Sequence, residues 1–442
     1  VWEALKSTQM MYETAIGRLQ GNLYRSPRPV ITFFNPAGWT RSALATVYID
    51  FEIIPQDRAF HIADEDGKEL DVQPLRSRRE GRYYAIWAEN IPALGYKTYE
   101  IILEDGNAPV PAAPDFQDNI MENTWYRITF DTKKGGIASL IDKSSGKELV
   151  DTSSSWSLGG FIYESLEGDR HQMERKVFEK YSRHGLENVR FTGTAAGEVY
   201  NSVFYEGTSR GCDPEHGIRV EVKLFNHVKR IEISYSMKRL PETDPSGIYV
   251  AFPFSMPESK LAFDVPGGVV NAGENQIPRT ATAWNTVQNF VSARNGDSQI
   301  ILSCDAVPLF MMGELLNDPY RLVHRHENAH IFSWVMNNYW TTNFRASQEG
   351  ELNWTYAITT ADGSSNSDAS RFGWGNRIPV YARVIPASAS ANSNARSVSF
   401  LNHDVDNVLM TSCVPSRTEP DGVLINLRET NGKEADFRLY DR

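Results

Sequence analysis

The chain has few cysteines and no long hydrophobic run, and each shortage argues against a class of protein. Its three cysteines, Cys212, Cys304 and Cys413, lie far apart and are odd in number. This pattern argues against a disulfide framework and offers no metal-binding spacing. No apolar run approaches the roughly 20 residues that a membrane-spanning helix needs. The sequence therefore predicts neither a disulfide scaffold nor a transmembrane helix.

Positive charge is also in short supply. The 45 Lys and Arg residues are outnumbered by 56 Asp and Glu residues, so the formal net charge is −11 at pH 7. Nucleic acids and anionic membranes need a basic face, and both are disfavoured as partners. With 442 residues, 41% of them hydrophobic, we expect a soluble chain of two to four domains. Its compartment stays open, because the chain begins at Val1 and no signal peptide is visible.

Residues 1–24 predict a helix that ends near Gly21. One helical face carries residues at three- and four-residue spacing: Trp2, Leu5, Gln9, Tyr12, Ile16 and Leu19. A single amphipathic helix cannot bury such a face alone, and no second helix is predicted after it. We therefore expect this helix to be the last one of a helical linker whose other helices precede Val1.

After the helix, the pattern predicts a mainly all-β fold. Short runs of β-branched and aromatic residues over 28–104 predict a small β-sandwich. The proline-rich segment 105–117 predicts a linker. A large β-domain over 118–390 follows, in which the alternation of Ile218–Leu224 and then of Ile231–Met237 predicts a hairpin.

The remainder of the chain predicts loops and a β tail. Small polar residues over 361–370 predict a surface loop. Strand-forming residues return at Val380–Ile385, which we place in the large domain. Residues 397–442 predict a separate C-terminal β segment.

The stretch Ser333–Trp354 (SWVMNNYWTTNFRASQEGELNW) has an unusual composition. It combines three tryptophans with several asparagines, although asparagine is depleted from strands. Flat indole faces suit sugar rings, and amides suit sugar hydroxyls. The alternative, from the residues alone, is that the tryptophans fill the β-core and the asparagines form turns.

Five stretches carry a family resemblance: Phe34–Arg41 (FNPAGWTR), Glu122–Asp131 (ENTWYRITFD), Gly135–Lys143 (GGIASLIDK), Met336–Phe344 (MNNYWTTNF) and Trp354–Thr359 (WTYAIT). Taken in order, they resemble glycoside hydrolase family 38, the α-mannosidases. The resemblance covers nearly the whole chain and corresponds to the C-terminal β-region of the family. It implies that the large domain is a galactose-mutarotase-like β-supersandwich.

The resemblance also implies a retaining α-mannosidase with an Asp nucleophile, a second acidic residue and a bound zinc ion. In the family, these groups lie in an N-terminal catalytic domain that contains a His-x-Asp pair. None of the nine histidines here is followed two positions later by Asp. We therefore expect no catalytic residue and no metal in this chain. Its expected partners are its own catalytic domain and mannose-containing glycans.

The C-terminal β-region of the family can lend residues to the sugar-binding cleft. By position in the chain, the resemblance implies these substrate contacts: Asn337, Asn338, Trp340, Asn343, Arg345 and Trp284. For Trp284 and Trp340, core packing is the alternative.

Three other groups of residues have side chains of the types found in metal-binding or catalytic sites. His324 and His326 share one strand face and could bind a metal with Glu327 or His330, although an exposed polar edge is favoured. Glu164, Glu167 and Asp169 could supply a glycosidase carboxylate pair, but they are predicted to form a solvated loop. Asp213, Glu215 and His216 resemble a triad only in composition.

Three functions therefore remain. The chain could be the scaffold and part of the cleft wall of a family 38 α-mannosidase, with no hydrolysis of its own. It could also be a stand-alone carbohydrate-binding module. A free-standing mutarotase-like or lyase-like protein would need a His and Glu pair, or a Tyr and Arg pair, on a concave face.

Overall fold

The computed structural model describes residues 2–107, 116, 118–167, 172, 180–278, 280, 284–315, 326–339 and 345–440. The first elements are helix α1 (Trp2–Leu19), a 3₁₀ turn (Gln20–Asn22) and the strands β1 Val30–Asn35, β2 Arg41–Asp50, β3 Arg58–Ala63, β4 Val72–Ser77, β5 Gly81–Ile91 and β6 Gly95–Asn107.

The middle of the chain contributes the strands β7 Ile120–Glu122, β8 Tyr126–Phe130, β9 Ile137–Asp142, β10 Lys147–Glu148, β11 Gly160–Leu166, β12 Tyr181–His184, β13 Glu187–Ala195, β14 Tyr200–Thr208, β15 Ile218–Phe225, β16 Ile231–Arg239, β17 Ser246–Phe254, β18 Lys260–Val265, β19 Gly268–Asn271, β20 Trp284–Thr286, β21 Val291–Arg294, β22 Ser298–Cys304, β23 Leu309–Met312, β24 Ala329–Asn337 and β25 Gly350–Asp362. Helix α2 (Asn366–Arg377) follows. The last strands are β26 Tyr381–Ile385, β27 Ser397–Ser399, β28 Asn402–His403, β29 Val408–Pro415, β30 Val423–Glu429 and β31 Leu439–Tyr440.

The chain divides into two compact units. One comprises Val1–Val110, Ile378–Leu427 and Glu434–Arg442, and the other comprises Pro111–Arg377 and Arg428–Lys433. Strands dominate both units, so the predicted mainly all-β class is confirmed. Neither α1 nor α2 is long and apolar enough to cross a membrane.

The first unit is a small β-sandwich. One sheet has the order β26-β1-β6-β27, with β3 also paired to β6, and a second sheet has the order β2-β5-β4. Side chains from both sheets, such as Phe33, Tyr99, Val47 and Ile86, fill one buried cluster. The sandwich is where the sequence predicts it, but it recruits strands from the distant end of the chain.

Strand pairing corrects two predicted boundaries. β26, which we placed in the large domain over 118–390, pairs with β1, and Val30 lies opposite Ile385. β27, predicted within a separate segment over 397–442, pairs with β6. β1 is buried along its whole length, so it requires a neighbour on both sides. Sequence periodicity identifies such a strand but not its partner.

Helix α1 packs on the first unit through the second half of its predicted face. Ile16 is buried in one cluster with Val30 and Phe34, and the rings of Tyr12 and Tyr381 lie 4.0 Å apart. Leu5, at the other end of the same face, stays 49% exposed. In this structure a sheet therefore covers the part of the helix that we expected other helices to cover.

The second unit contains sheets of four, six and nine strands. Their strand orders are β10-β9-β8-β7, β12-β11-β17-β24-β23-β20 and β13-β14-β15-β16-β25-β22-β21-β18-β19. The predicted hairpin is present as β15 and β16, with Ile218 opposite Met237. A single large apolar cluster includes side chains from all three sheets, among them Ile128, Phe252 and Tyr356.

Helix α2 occupies part of the predicted polar loop over 361–370. Ser365 Oγ accepts hydrogen bonds from the backbone amides of Ser367 and Asp368, which caps the N-terminus of the helix. Ala369 is fully buried with Phe290 and Ile301. The loop prediction is wrong here because the small residues allow close packing on the sheet, a tertiary effect that composition does not reveal.

Candidate functional site

Asn337 and Asn338 end strand β24, where the predicted sugar-contacting residues begin. Gly247 of β17 lies opposite Asn337. Asn337 is exposed, and its side-chain carbonyl accepts a hydrogen bond from the Tyr339 amide at 3.3 Å. The other predicted contacts that follow it, Trp340 and Asn343, lie outside the described residues. Asn337 thus presents an accessible amide at the end of a largely buried strand.

Both the oxygen and the nitrogen of the Asn338 side-chain amide form hydrogen bonds within the chain. Its Oδ1 accepts hydrogen bonds from the Ser246 backbone N at 2.5 Å and from Ser246 Oγ at 3.1 Å. Its Nδ2 donates to the backbone carbonyls of Glu242, Asp244 and Ala346 at 3.2, 2.8 and 3.1 Å. Asn338 therefore ties two loops to the end of β24. Its contact with a sugar stays a prediction.

Trp284 belongs to an aromatic cluster at the end of the six-stranded sheet. Its ring centroid lies 4.8 Å from that of Trp334, and the Trp334 ring stacks on Tyr249 at 5.6 Å. Trp334 is only 6% exposed, whereas Trp284 is half-buried. Trp284 therefore packs on the core and keeps some accessible surface, so both interpretations of this residue stay open.

Arg345 is the remaining predicted contact within the described residues. It is exposed and forms an ion pair with Glu349, four residues later. Such surface pairs contribute little to stability and are easily exchanged for another partner. Its role in binding a sugar stays a prediction.

Glu164 lies at the centre of a polar cluster beneath these aromatic rings. We expected a solvated loop, but Glu164 lies in strand β11 and is 1% exposed. Its Oε2 accepts a hydrogen bond from Arg183 Nε at 2.6 Å, and its Oε1 accepts from Tyr339 Oη at 2.7 Å and Tyr249 Oη at 3.2 Å. Of the other residues in the predicted carboxylate group, Glu167 is exposed and Asp169 lies outside the described residues.

We call Glu164, Arg183, Tyr249, Trp334 and Tyr339 the Glu164 cluster. Burial raises the pKa of the Tyr339 and Tyr249 hydroxyls, and the nearby Glu164 carboxyl raises them further. Both hydroxyls therefore stay protonated and donate to Glu164. A buried carboxylate satisfied in this way is poorly accessible to a substrate. The cluster instead fixes the position of Tyr339, the residue directly before Trp340.

The histidine group offers no metal site within the described part of the chain. His326 Nδ1 lies 3.0 Å from the Met312 carbonyl, and His330 Nε2 lies 2.8 Å from Asp151 Oδ2. His324 lies outside the described residues. Among those described, no three or more His, Cys, Asp and Glu side chains are arranged to hold a metal ion.

The Asp213, Glu215 and His216 group does not form a triad. Asp213 Oδ2 accepts a hydrogen bond from Lys238 Nζ at 2.7 Å, and its Oδ1 accepts from the backbone amides of Glu215 and His216. His216 Nε2 instead faces Ser236 Oγ at 3.4 Å. Asp213 is therefore a loop-forming residue.

Sequence reasoning missed two members of the Glu164 cluster, Tyr249 and Arg183. Tyr249 stands in a continuously buried strand, and Arg183 stands in a short exposed one, so neither has a distinctive context. The partners of Glu164 lie 19, 85 and 175 residues away. The one available signal was Tyr339, because it stands inside the asparagine- and tryptophan-rich stretch.

Comparison with known families finds a match within the large domain. Residues 121–302 match the model of the glycosyl hydrolases family 38 C-terminal domain. No curated protein matches the chain significantly. The match confirms the predicted resemblance to family 38, and its range includes Glu164, Arg183, Tyr249 and Trp284.

Solved structures agree with the fold. An α-mannosidase from Enterococcus faecalis V583 is similar over 98% of this chain, with a TM-score of 0.73 and 12% identity. A family 38 glycosyl hydrolase protein from Enterococcus faecalis is similar over 96% of this chain, with a TM-score of 0.71 and 12% identity. The similarity covers 54% and 56% of those chains, so this chain spans about half the length of each. At such identity the likeness establishes the fold alone.

Proposed function

We propose that this chain, whose residues 121–302 match the family 38 C-terminal domain model, serves as the C-terminal β-region of an α-mannosidase. In this role it supplies scaffold and one wall of the sugar-binding cleft. The bond-breaking groups and the zinc ion belong to a catalytic domain outside this chain, which is its main partner. The substrates are mannose-containing glycans.

The observation that carries this proposal is the way in which the Glu164 cluster and Asn338 hold the end of β24. Tyr339 is fixed through its hydroxyl and Asn338 through its whole amide, directly before Trp340. A sugar site needs rigid positioning of its contacting groups. The segment that begins at Trp340 therefore starts from a rigid base, as a cleft wall requires.

Asn337, Trp340, Asn343 and Arg345 are proposed as the groups that face the sugar. An indole offers a flat apolar face, and amides offer both a donor and an acceptor to hydroxyls. Glu164 acts as a positioning residue through Tyr339, and Asn338, besides its predicted sugar contact, positions the end of β24. Trp284 contributes the half-buried edge of the aromatic cluster.

Intrinsic tryptophan fluorescence tests the binding part of the proposal. We expect mannose or mannobiose to cause a saturable change in the wild-type chain that is absent in Trp340→Ala. Trp125→Ala, which changes a half-buried tryptophan in the connection between β7 and β8 of the same unit, is the control and should retain the change. The absence of any response up to millimolar sugar would contradict sugar binding by this chain and leave the scaffold role.

A hydrolysis assay tests the assignment of catalysis to another domain. We expect the purified chain to release no 4-nitrophenol from 4-nitrophenyl α-mannoside. Turnover that co-purifies with the chain and persists through a second purification would show that the chain has catalytic groups of its own, and would overturn the proposal.

A further inference from the structure

A concave site lies on the outer face of the nine-stranded sheet. It is a cavity of about 720 Å³ bordered by β13, β14, β15, β16 and β25, by residues 305 and 306 after β22, and by the end of α2. Small-molecule sites commonly enclose about 300–1,000 Å³. None of its lining residues belongs to the Glu164 cluster or to the predicted sugar contacts. We call it the sheet trough.

The floor of the trough consists of small polar side chains. Ser236 lies opposite Asn353, and Ser234 lies opposite Thr355, on the paired strands β16 and β25. Their sequence neighbours Tyr235 and Trp354 point to the opposite face, where they are buried and stacked at 5.0 Å. Sheet faces usually carry β-branched or aromatic residues, and of these four residues only Thr355 is β-branched. The four short polar side chains at adjacent positions therefore leave a depression lined with hydroxyl and amide groups.

The walls of the trough add charge and one aromatic ring. Glu206 pairs with Arg190, and Glu221 accepts a hydrogen bond from Ser202 Oγ at 2.8 Å. Both carboxylates are thereby oriented and keep further acceptor capacity. Phe204, on the same strand as Glu206, is half-buried and borders the cavity.

Two wall residues, Arg219 and Asp305, have hydrogen-bonding groups that are available to a ligand. Both are exposed, and neither side chain makes a hydrogen bond or ion pair with the described residues. Arg219 provides several donors, and Asp305 provides acceptors. The trough therefore offers unused hydrogen-bonding groups of both kinds above a floor of hydroxyls.

The charge balance of the trough is close to neutral. Of the three lining carboxylates, Glu206 pairs with Arg190, and Glu221 lies 3.7 Å from Lys223 Nζ, which leaves Asp305 and the guanidinium of Arg219 as charges of opposite sign. Such a balance gives no net attraction to a phosphate or carboxylate ligand. A neutral polyol matches the mixture of donors and acceptors, and its ring can contact Phe204.

We propose that the sheet trough binds a neutral saccharide, at a site separate from the end of β24. Arg219 and Asn353 donate hydrogen bonds to its hydroxyls, and Glu221 and Asp305 accept from them. The site goes beyond the proposed cleft-wall function, because it would hold a glycan on a different sheet.

Isothermal titration calorimetry tests this proposal with mannose, glucose, galactose, N-acetylglucosamine, mannobiose and maltose, and with inorganic phosphate as the anionic comparison. Ser236→Tyr fills the trough with a residue that strands favour, and Arg219→Met removes an exposed donor. Ser412→Tyr, the same change on β29 of the other unit, is the matched control. Thermal unfolding of each variant establishes that it is folded.

We expect at least one saccharide, and not phosphate, to bind the wild-type chain saturably. Ser236→Tyr should weaken that binding by about tenfold or more, Arg219→Met should weaken it too, and Ser412→Tyr should leave it unchanged. The proposal is overturned if no saccharide binds, if phosphate binds instead, or if folded Ser236→Tyr and Arg219→Met bind as the wild type does. Loss of binding only in Trp340→Ala would also overturn it while supporting the proposed function.

Discussion

Single hydrogen-bonding side chains decide how the end of β24 is held. Asn338 and Asn337 are neighbours with the same chemistry, yet Asn338 donates to three backbone carbonyls and Asn337 accepts one hydrogen bond from an exposed position. The two residues therefore form a matched pair in which only one amide is a structural anchor.

Asn338→Asp should destabilise the chain, and Asn337→Asp should not. The first change replaces a donor by a carboxylate oxygen facing three carbonyls, which should cost about 2 kcal/mol or more. The second keeps the acceptor that the Tyr339 amide uses. Urea unfolding followed by circular dichroism measures both. Equal midpoints for the two variants would show that the Asn338 contacts contribute nothing.

Tyr339→Phe tests the Glu164 cluster directly. The change removes the hydroxyl that donates to Glu164 at 2.7 Å and leaves a buried carboxylate with one partner fewer. We expect a loss of about 1–3 kcal/mol in the free energy of unfolding. Tyr83→Phe, at a half-buried position with ring contacts in the other unit, is the control and should change the stability little. A Tyr339→Phe variant as stable as the wild type would remove the cluster from this account.

Asp142, at the end of β9, joins several elements of the second unit through hydrogen bonds. Asp142 Oδ2 accepts hydrogen bonds from Lys229 Nζ, in the turn between β15 and β16, and from Thr360 Oγ1 of β25 at 2.9 and 2.6 Å. Burial favours a raised pKa, but hydrogen bonds from Ser144, Thr360 and Lys229 outweigh it and lower the pKa from 3.8 to about 2. The ionised carboxylate therefore stabilises the folded state.

The stability that Asp142 provides should be complete above about pH 4 and lost as the pH falls towards 2, because a lowered folded-state pKa is linked to stability in that direction. Asp142→Asn should lower the stability at pH 5 and reduce its slope between pH 4 and 2. Urea unfolding across this range checks the prediction, with Asp66→Asn in an exposed turn as the control. An unchanged slope would contradict the role of Asp142.

The same glycine substitution should have opposite effects in the two helices. A Cβ on Gly373 of α2 would lie 2.9 Å from the Asn289 carbonyl, whereas one on Gly17 of α1 would meet nothing within 4 Å. Gly373→Ala should therefore destabilise the chain by about 1–3 kcal/mol, and Gly17→Ala should stabilise it by up to about 1 kcal/mol. Thermal unfolding distinguishes them. A stabilised Gly373→Ala variant would mean that α2 is not packed closely on the sheet.

At the scale of the whole molecule, the sequence pattern predicts only those features that depend on residues close together in the chain. The β15 and β16 hairpin follows from a two-residue alternation, and the mainly all-β class follows from many such runs. β26 could not be placed, because its partner β1 lies some 350 residues away and periodicity carries no pairing information. Helix α2 was not predicted, because its serines are typical of a loop and only their burial in the folded chain favours a helix.

The candidate site, like the fold, could be predicted from the sequence only in part. The stretch Ser333–Trp354 draws attention through its composition, and two of its members, Asn338 and Tyr339, are now placed in defined hydrogen-bond networks. Glu164 was noticed as an acidic residue, but its burial could not be predicted, because the acidic run around it is typical of a solvated loop and its two tyrosine partners and one arginine partner are distant in sequence. Long-range convergence of this kind is a property of the fold and not of any single segment.

Hydrogen-exchange mass spectrometry of the whole chain, with and without mannobiose, tests the central claim most directly. The account predicts increased protection in peptides that cover 337–346, since the sugar would contact the segment supported by the Glu164 cluster. Peptides from the first unit, such as those covering β2 and β5, should exchange at unchanged rates. Saturating mannobiose that leaves 337–346 unprotected, or that protects only the first unit, would contradict the claim that this segment forms a sugar-facing wall.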